Sequence, residues 1–262
     1  MTENGQATRD ALKTEGIVKR FGAVTALSGV DLHLGQGEVL GLVGDNGAGK
    51  STLIKIITGF HRPDRGRVII EDREVHLRSV SQARKLGIET VYQDLALVDD
   101  LPVYLNMFLN KELTVKPLGL LNHKEMKRRA RQYLNDMRVS VPDVTEPVGL
   151  LSGGQRQAIA IARAVYSDVK ILLLDEPLAA MGAKEGAQIL NLIQRLKGQG
   201  DVSMILIAHN YVHIMDVCDR INLLRHGRIT FDKRVQDTSM DELTDIVVSE
   251  FKEHRAVDEA VS

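Results

Sequence analysis

The sequence predicts an α/β fold, with a mixed, mainly parallel sheet core, a small antiparallel β layer and a helical subdomain. Three observations predict it. Val39 to Val43, Ile171 to Leu174 and Met204 to Ala208 are short and almost continuously apolar, as strands buried on both faces of a parallel sheet are. Each run ends in polar residues, and in open α/β sheets ligands gather at the carboxyl ends of strands. Lys13 to Glu38 and Gly66 to Leu77 instead break into β-like pieces between Gly-containing turns, the pattern of antiparallel pairing.

The 262 residues suffice for one large α/β domain or two small ones. A hydrophobic fraction of 44% and a charged fraction of 26% are ordinary for a globular chain. The net charge of -1 gives no sign of a nucleic-acid partner, and none is expected. The single cysteine, Cys218, excludes an intrachain disulfide and a cysteine-built zinc cluster, and fits a reducing compartment. No run approaches the ~20 apolar residues that cross a bilayer. The polar N-terminus also lacks the apolar stretch of a secretory signal.

In chain order, residues 1 to about 12 read as a poorly packed start. The β-like pieces Gly16 to Val18 and Val30 to Leu34 follow, then the strand Val39 to Val43. A helix-compatible run covers Thr52 to Thr58, and Val68-Ile69-Ile70 sits within the next β-like piece. From about residue 95 to 165 the chain reads as mainly helical, with Leu101 to Leu113 apolar and His123 to Arg138 strongly charged. The cluster Lys124, Lys127, Arg128, Arg129 and Arg131 reads first as a solvated helix face, with a phosphate- or lipid-binding stripe as the alternative. After about Gln236 the chain turns acidic and reads as helical.

Between the first apolar strand and its helix lies Gly44-Asp45-Asn46-Gly47-Ala48-Gly49-Lys50-Ser51-Thr52, which fits G-x-x-x-x-G-K-[ST]. Glycines let the backbone curl so that several N–H groups face one oxyanion, and the helix N-terminus adds positive dipole. Lys50 is expected on the β- and γ-phosphates of ATP and the Ser51 hydroxyl on Mg²⁺. The second strand ends in Asp175-Glu176-Pro177. Because successive strand residues point to opposite sides, these carboxylates are expected to take different tasks. Asp175 would hold Mg²⁺ through its water shell, and Glu176 would orient or deprotonate the attacking water.

Leu151-Ser152-Gly153-Gly154-Gln155 opens another helical run, and here the sequence resembles the ABC ATPases, whose signature it matches. The resemblance covers about residues 14 to 235 and implies a P-loop NTPase of ABC type over residues 1–262. Residues of about 14–93 and 165–235 would form a RecA-like core with the antiparallel layer, about 94–164 the helical subdomain, and about 237–262 an acidic tail. Ser152, Gly153, Gly154 and Gln155 would meet the γ-phosphate held by the phosphate loop of a second ATPase subunit, either a second copy, giving a homodimer, or a paralogue.

Residue by residue, the resemblance makes Gln93 the glutamine that senses the γ-phosphate and joins the metal, and His209 the switch histidine on that phosphate. It makes Phe21 the aromatic that stacks on adenine. Gly182 departs from the pattern, because the family usually has Asp there; a tight backbone approach is the expected use of the glycine. Val91 to Asn110, the turn through Gly182 and Ala208 to Arg228 resemble ATPases of simple-sugar importers, the single-domain fructose type above all. That implies transmembrane permease subunits, an extracytoplasmic sugar-binding protein and a peripheral place on the cytoplasmic face of the membrane. The alternative is the ATPase subunit of an exporter or non-sugar importer of the same family.

Overall fold

The computed structural model describes residues 9–246 apart from 167, 180 and 209. His209, the first eight residues and most of the expected acidic tail therefore lie outside the described residues. In chain order the strands are β1 (Asp10–Phe21), β2 (Val24–Gly35), β3 (Val39–Val43), β4 (Arg65–Ile70), β5 (Arg73–Val75), β6 (Ile88–Val91), β7 (Thr114–Val115), β8 (Leu120–Leu121), β9 (Ile171–Asp175), β10 (Ser203–Ile207), β11 (Arg220–Arg225) and β12 (Arg228–Arg234). The helices are α1 (Lys50–Ile57), α2 (Val80–Lys85), α3 (Val103–Met107), α4 (His123–Asp136), α5 (Gly153–Val165), α6 (Ala183–Gln199) and α7 (Tyr211–Val217).

The larger sheet runs β12-β11-β3-β10-β9-β6. All its neighbours pair in parallel except β11 and β12, which form a hairpin. Apart from Ser203 at the start of β10 and Asp175 at the end of β9, its central strands β3, β9 and β10 hold no polar side chain, as strands covered on both faces do. Leu172, Leu174, Met204 and Leu206 enter one core, shared with α5 and α6. Their neighbours Ile171, Leu173, Ile205 and Ile207 enter a second core, shared with α1 and the other sheet. Strand alternation thus feeds two cores from one run of sequence.

The expected antiparallel layer is the sheet β2-β1-β4-β5, but its first two strands are 12 residues each, not short pieces. It also begins earlier than the sequence suggests. Leu12 pairs with Leu34 on one side and Ile70 on the other and is fully buried, so residues 10–12 belong to the fold.

Leu101 to Leu113 is not one helix. Asn106 is fully buried, and its Nδ2 donates to the Val98 and Leu101 carbonyls at 3.0 Å each. Its Oδ1 accepts the Val98 N–H at 2.8 Å, which fixes an irregular turn ahead of α3. The chain leaves α3 through Asn110 at φ 63 and forms the β7–β8 hairpin. The charged helix α4 forms as expected, burying Met126, Ala130 and Leu134 at the spacing of one helical face. Of the tail, the described part packs back on the fold: Leu243 is buried and Glu242 pairs with Lys233.

Candidate active site

Every residue of β3 is buried, and β3 lies between β11 and β10, so its carboxyl end opens at the middle of the sheet edge. Residues 44–49 lead from there into α1. Gly44, Gly47 and Gly49 have φ of 145, 84 and 110. Two of them are also held by close neighbours. A Cβ on Gly44 would lie 2.1 Å from the Leu224 carbonyl oxygen, and one on Gly49 would lie 2.6 Å from the Ala26 carbonyl oxygen. The Gly227 N–H donates to the Ala48 carbonyl at 3.0 Å, so β2 and the β11–β12 hairpin brace the loop from outside. The first α1 bond runs from the Leu53 N–H to the Gly49 carbonyl at 2.9 Å. The amides of Lys50, Ser51 and Thr52 therefore precede the helical ladder, in the position from which helix N-termini bind anions.

Lys50 is buried, and its Nζ donates to the Gly44 and Asp45 carbonyls at 2.6 and 2.9 Å. Burial pushes its pKa down from the usual lysine value, and the charges of Glu176, Asp45 and Asp175 partly oppose that. An ammonium partly stripped of water at the head of a curled glycine loop fits the terminal phosphates of a nucleotide. Asp45, Asn46, Gly47 and Ser51 are exposed around it, and Thr52 is half-buried.

Parallel pairing aligns the other motifs with this loop. Asp175 is opposite Ile207 in the β9–β10 register, and Val91 of β6 is opposite Leu174 of β9. Asp175 and Glu176 at the end of β9 and the exposed Gln93 after β6 therefore follow along the edge where β3 ends. The separation of Asp175 from Glu176 has a different cause from the one expected. Glu176 is beyond the pleat, at φ 51, with its N–H donated to the Ile207 carbonyl at 3.0 Å. A left-handed turn at a non-glycine residue costs about 1–3 kcal/mol, a strain characteristic of functional positions. Among the described residues no group of three His, Cys, Asp or Glu side chains gathers to hold a metal. Ser51, Gln93 and Asp175 offer oxygen donors of the kind a hard divalent ion takes, and phosphate oxygens and water would have to complete its shell.

The signature forms the N-terminus of α5. The Ser152 Oγ accepts the Gln155 N–H at 3.3 Å, and the Gln155 Oε1 accepts the Ser152 N–H at 3.0 Å, a reciprocal capping box. The Ser152 O–H remains a donor, beside the amides of Gly153 and Gly154 ahead of the ladder. Ser152 and Gly153 are exposed, and Gly154 is packed so that a Cβ would meet Glu185 at 2.9 Å. Ser152, Gly154 and Gln155 border a cavity of about 420 Å³ lined otherwise by residues 138–140, Ala158 and α6, with no residue of the phosphate loop. The chain brings the loop, the acid pair and Gln93 to one edge, and the cavity beside the signature includes none of them.

Phe21 ends β1 opposite Val24 and is 43% exposed. The His61 ring meets it edge-on at 5.2 Å, and the Lys19 Nζ is 5.6 Å from its centroid. Two residues past Val24, the Ala26 carbonyl lies against Gly49 of the phosphate loop, so the strand that Phe21 pairs with runs past that loop. Val24, Leu224 and Gly227 carried no local motif by which the sequence flagged them. Gly182 caps α6 in extended conformation, and a Cβ there would meet nothing within 4 Å. Among the described residues no tight approach explains that glycine.

A family model described as "ABC transporter" matches residues 27–179, more than half of the chain. The chain belongs to the ABC transporter family. It is an ATP-binding, ATP-hydrolysing cassette. It is 47% identical to a xylose/arabinose import ATP-binding protein of Sulfolobus acidocaldarius, over 92% of this chain and 94% of that one. It is 42% identical to a fructose import ATP-binding protein of Rhizobium meliloti, over 85% and 87%. A ribose import ATP-binding protein of Geobacillus kaustophilus is 40% identical over 88% of this cassette, which spans 47% of that longer protein. Among solved structures, a dimeric ATP-binding cassette in a post-hydrolysis state with ADP and Pi superposes with a TM-score of 0.71 at 26% identity, over 86% and 98% of the two chains.

Proposed function

We propose that this cassette hydrolyses Mg-ATP to power import of a simple sugar through a membrane permease. The alignment of the phosphate loop, Asp175, Glu176 and Gln93 on one sheet edge carries the reading. The likeness to sugar import proteins supplies the class of solute. Lys50 exchanges the Gly44 and Asp45 carbonyls for β- and γ-phosphate oxygens, and the amides of residues 47–52 bind the rest of the triphosphate. Phe21 stacks on the adenine. Glu176 takes the proton of the water that attacks the γ-phosphorus as the bond to the β-phosphate oxygen breaks, giving ADP and phosphate. His209 and Gln93 contact the γ-phosphate. Mg²⁺, held by Ser51, Gln93 and the water shell of Asp175, would offset the phosphate charge.

The exposed Ser152, bordering a cavity without a phosphate-loop residue, and the exposed Gly153 next to it support a homodimer in which each signature completes the other chain's site. Mixing Lys50→Ala with Ser152→Phe chains tests this. Each alone should be inactive, and the mixture should regain activity through one intact composite site; an inactive mixture would remove the signature from the site.

Residues 14–93 and 165–235 form the catalytic core in this proposal, and 94–164 the helical part that meets the permease near Gln93. No described helix is long and apolar enough to cross a membrane, which is consistent with peripheral docking on the cytoplasmic face. Co-purification from membranes should recover permease subunits, and a sugar-binding protein should raise ATP turnover. Recovery of an exporter instead would overturn the import assignment.

A further inference from the structure

Among the described residues, four of the eleven exposed large apolar side chains lie in the hairpin β7–β8: Val115, Leu118, Leu120 and Leu121, between 42% and 73% exposed. Among those residues the two strands pair only with each other. A two-stranded ribbon with this much bare apolar surface is marginal in water, and such patches mark contact sites.

The chain passes directly from Leu121 into α4, where the Asn122 N–H closes the hairpin on the Leu113 carbonyl at 2.7 Å. Residues 111–143 carry eight Lys and Arg against four Asp and Glu, a local charge of +4 in a chain whose net charge is -1. Carboxylates in reach offset part of this: Glu125 is shared by Arg128 and Arg129, Asp143 meets Arg131 at 3.4 Å, and Glu89, from outside the segment, meets Lys111 at 3.7 Å. Lys116 and Lys124 are both exposed. With Met126, Ala130 and Leu134 buried, Lys124, Arg128 and Arg131 occupy the outward side of α4.

We propose that this hairpin and the basic face of α4 bind the surface of an anionic bilayer, the leucines entering the headgroup boundary and the cations meeting lipid phosphates. Apolar insertion joined to basic charge is how interfacial segments hold to membranes, and neither part suffices alone. Of the two meanings the basic cluster had in the sequence, the lipid-binding one is selected by the bare leucines beside it. A solvated helix face needs no apolar neighbour, and a free phosphate gains nothing from one. This anchoring depends on neither the transported solute nor the permease.

The full chain contains no tryptophan, so Leu118→Trp, at a 73% exposed site, creates a single reporter. Its fluorescence should shift to the blue when vesicles containing about a third phosphatidylglycerol are added, and not with pure phosphatidylcholine. In flotation, the unmodified chain should bind the anionic vesicles and release them at about 1 M salt, where the Debye length is ~3 Å. Leu118→Ser with Leu120→Ser should weaken binding at least tenfold, as should Lys124→Glu with Lys116→Glu. Absence of vesicle binding, equal binding by the variants, or binding indifferent to salt would overturn the proposal. So would serine variants that float normally but no longer co-purify with the permease, which would give the hairpin to a protein partner.

Discussion

Gly44→Ala tests whether the phosphate loop is shaped by its braces as well as by its own glycines. The new Cβ would sit 2.1 Å from the Leu224 carbonyl oxygen, where real Cβ atoms keep beyond 3.0 Å. Both partners are backbone, so the loop must retreat by about 1 Å, and a misplacement of that size near a reacting group costs on the order of 100-fold in rate. That corresponds to ~2.7 kcal/mol of lost transition-state stabilisation. Overpacking and a left-handed alanine together should lower folding stability by about 2–4 kcal/mol. Gly47→Ala is the control, because it has φ 84 but nothing within 4 Å of a Cβ. It should lose only about 1 kcal/mol of stability, from backbone strain. Steady-state ATPase kinetics and urea unfolding of both variants decide the matter. Equal losses in the two, or full activity in Gly44→Ala, would refute the claim that Leu224 sets the loop's position.

Glu176→Gln should bind ATP normally but hydrolyse it about 100- to 10,000-fold more slowly, the range for loss of a general base. It should run as a dimer on gel filtration with ATP, and normal turnover would remove Glu176 from its role. Lys50→Ala should lose nucleotide affinity, measured with a fluorescent ATP analogue; unchanged binding would contradict the phosphate-loop assignment. Phosphate binds the protonated amine, and burial depresses the folded-state pKa of Lys50 below 10.5. ATP affinity should therefore be intact below that depressed pKa and fall as pH rises through it, before an ordinary lysine would lose its proton. The same depression means the folded chain holds the proton less well than the unfolded one. Stability should thus be reduced at neutral pH and recover as pH rises towards 10.5, which alkaline urea titrations against Lys50→Met would reveal. Chelation of divalent metal should abolish hydrolysis, and persistent turnover would contradict the metal roles of Ser51 and Asp175. Gly182→Asp should stabilise α6 by a few tenths of a kcal/mol through an N-cap bond, read as a higher urea midpoint.

The motifs of this cassette were legible in its sequence because they are local. A curled glycine loop, an acid pair at a strand end and a serine-glycine helix tip are each built from residues adjacent in the chain. The buried strands were legible too, since continuous apolar runs need cover on both faces. Other features depend on residues far apart in sequence, and only the tertiary structure decided them. The strand order carried Asp175 and Gln93 to the phosphate loop, although about 80 residues separate them. Leu224 and Ala26 brace the loop from distant strands, and no periodicity announces a carbonyl that fills the space of a Cβ. The turn of Glu176 follows from its bond to Ile207 on a neighbouring strand, not from the pleat. The apolar run Leu101 to Leu113, which composition alone would make helical, is helical only over Val103–Met107, between the turn that buried Asn106 fixes and the left-handed Asn110. Local propensity marks where chemistry can occur, whereas its assembly into a site depends on contacts whose entropic cost is met only when the whole sheet forms.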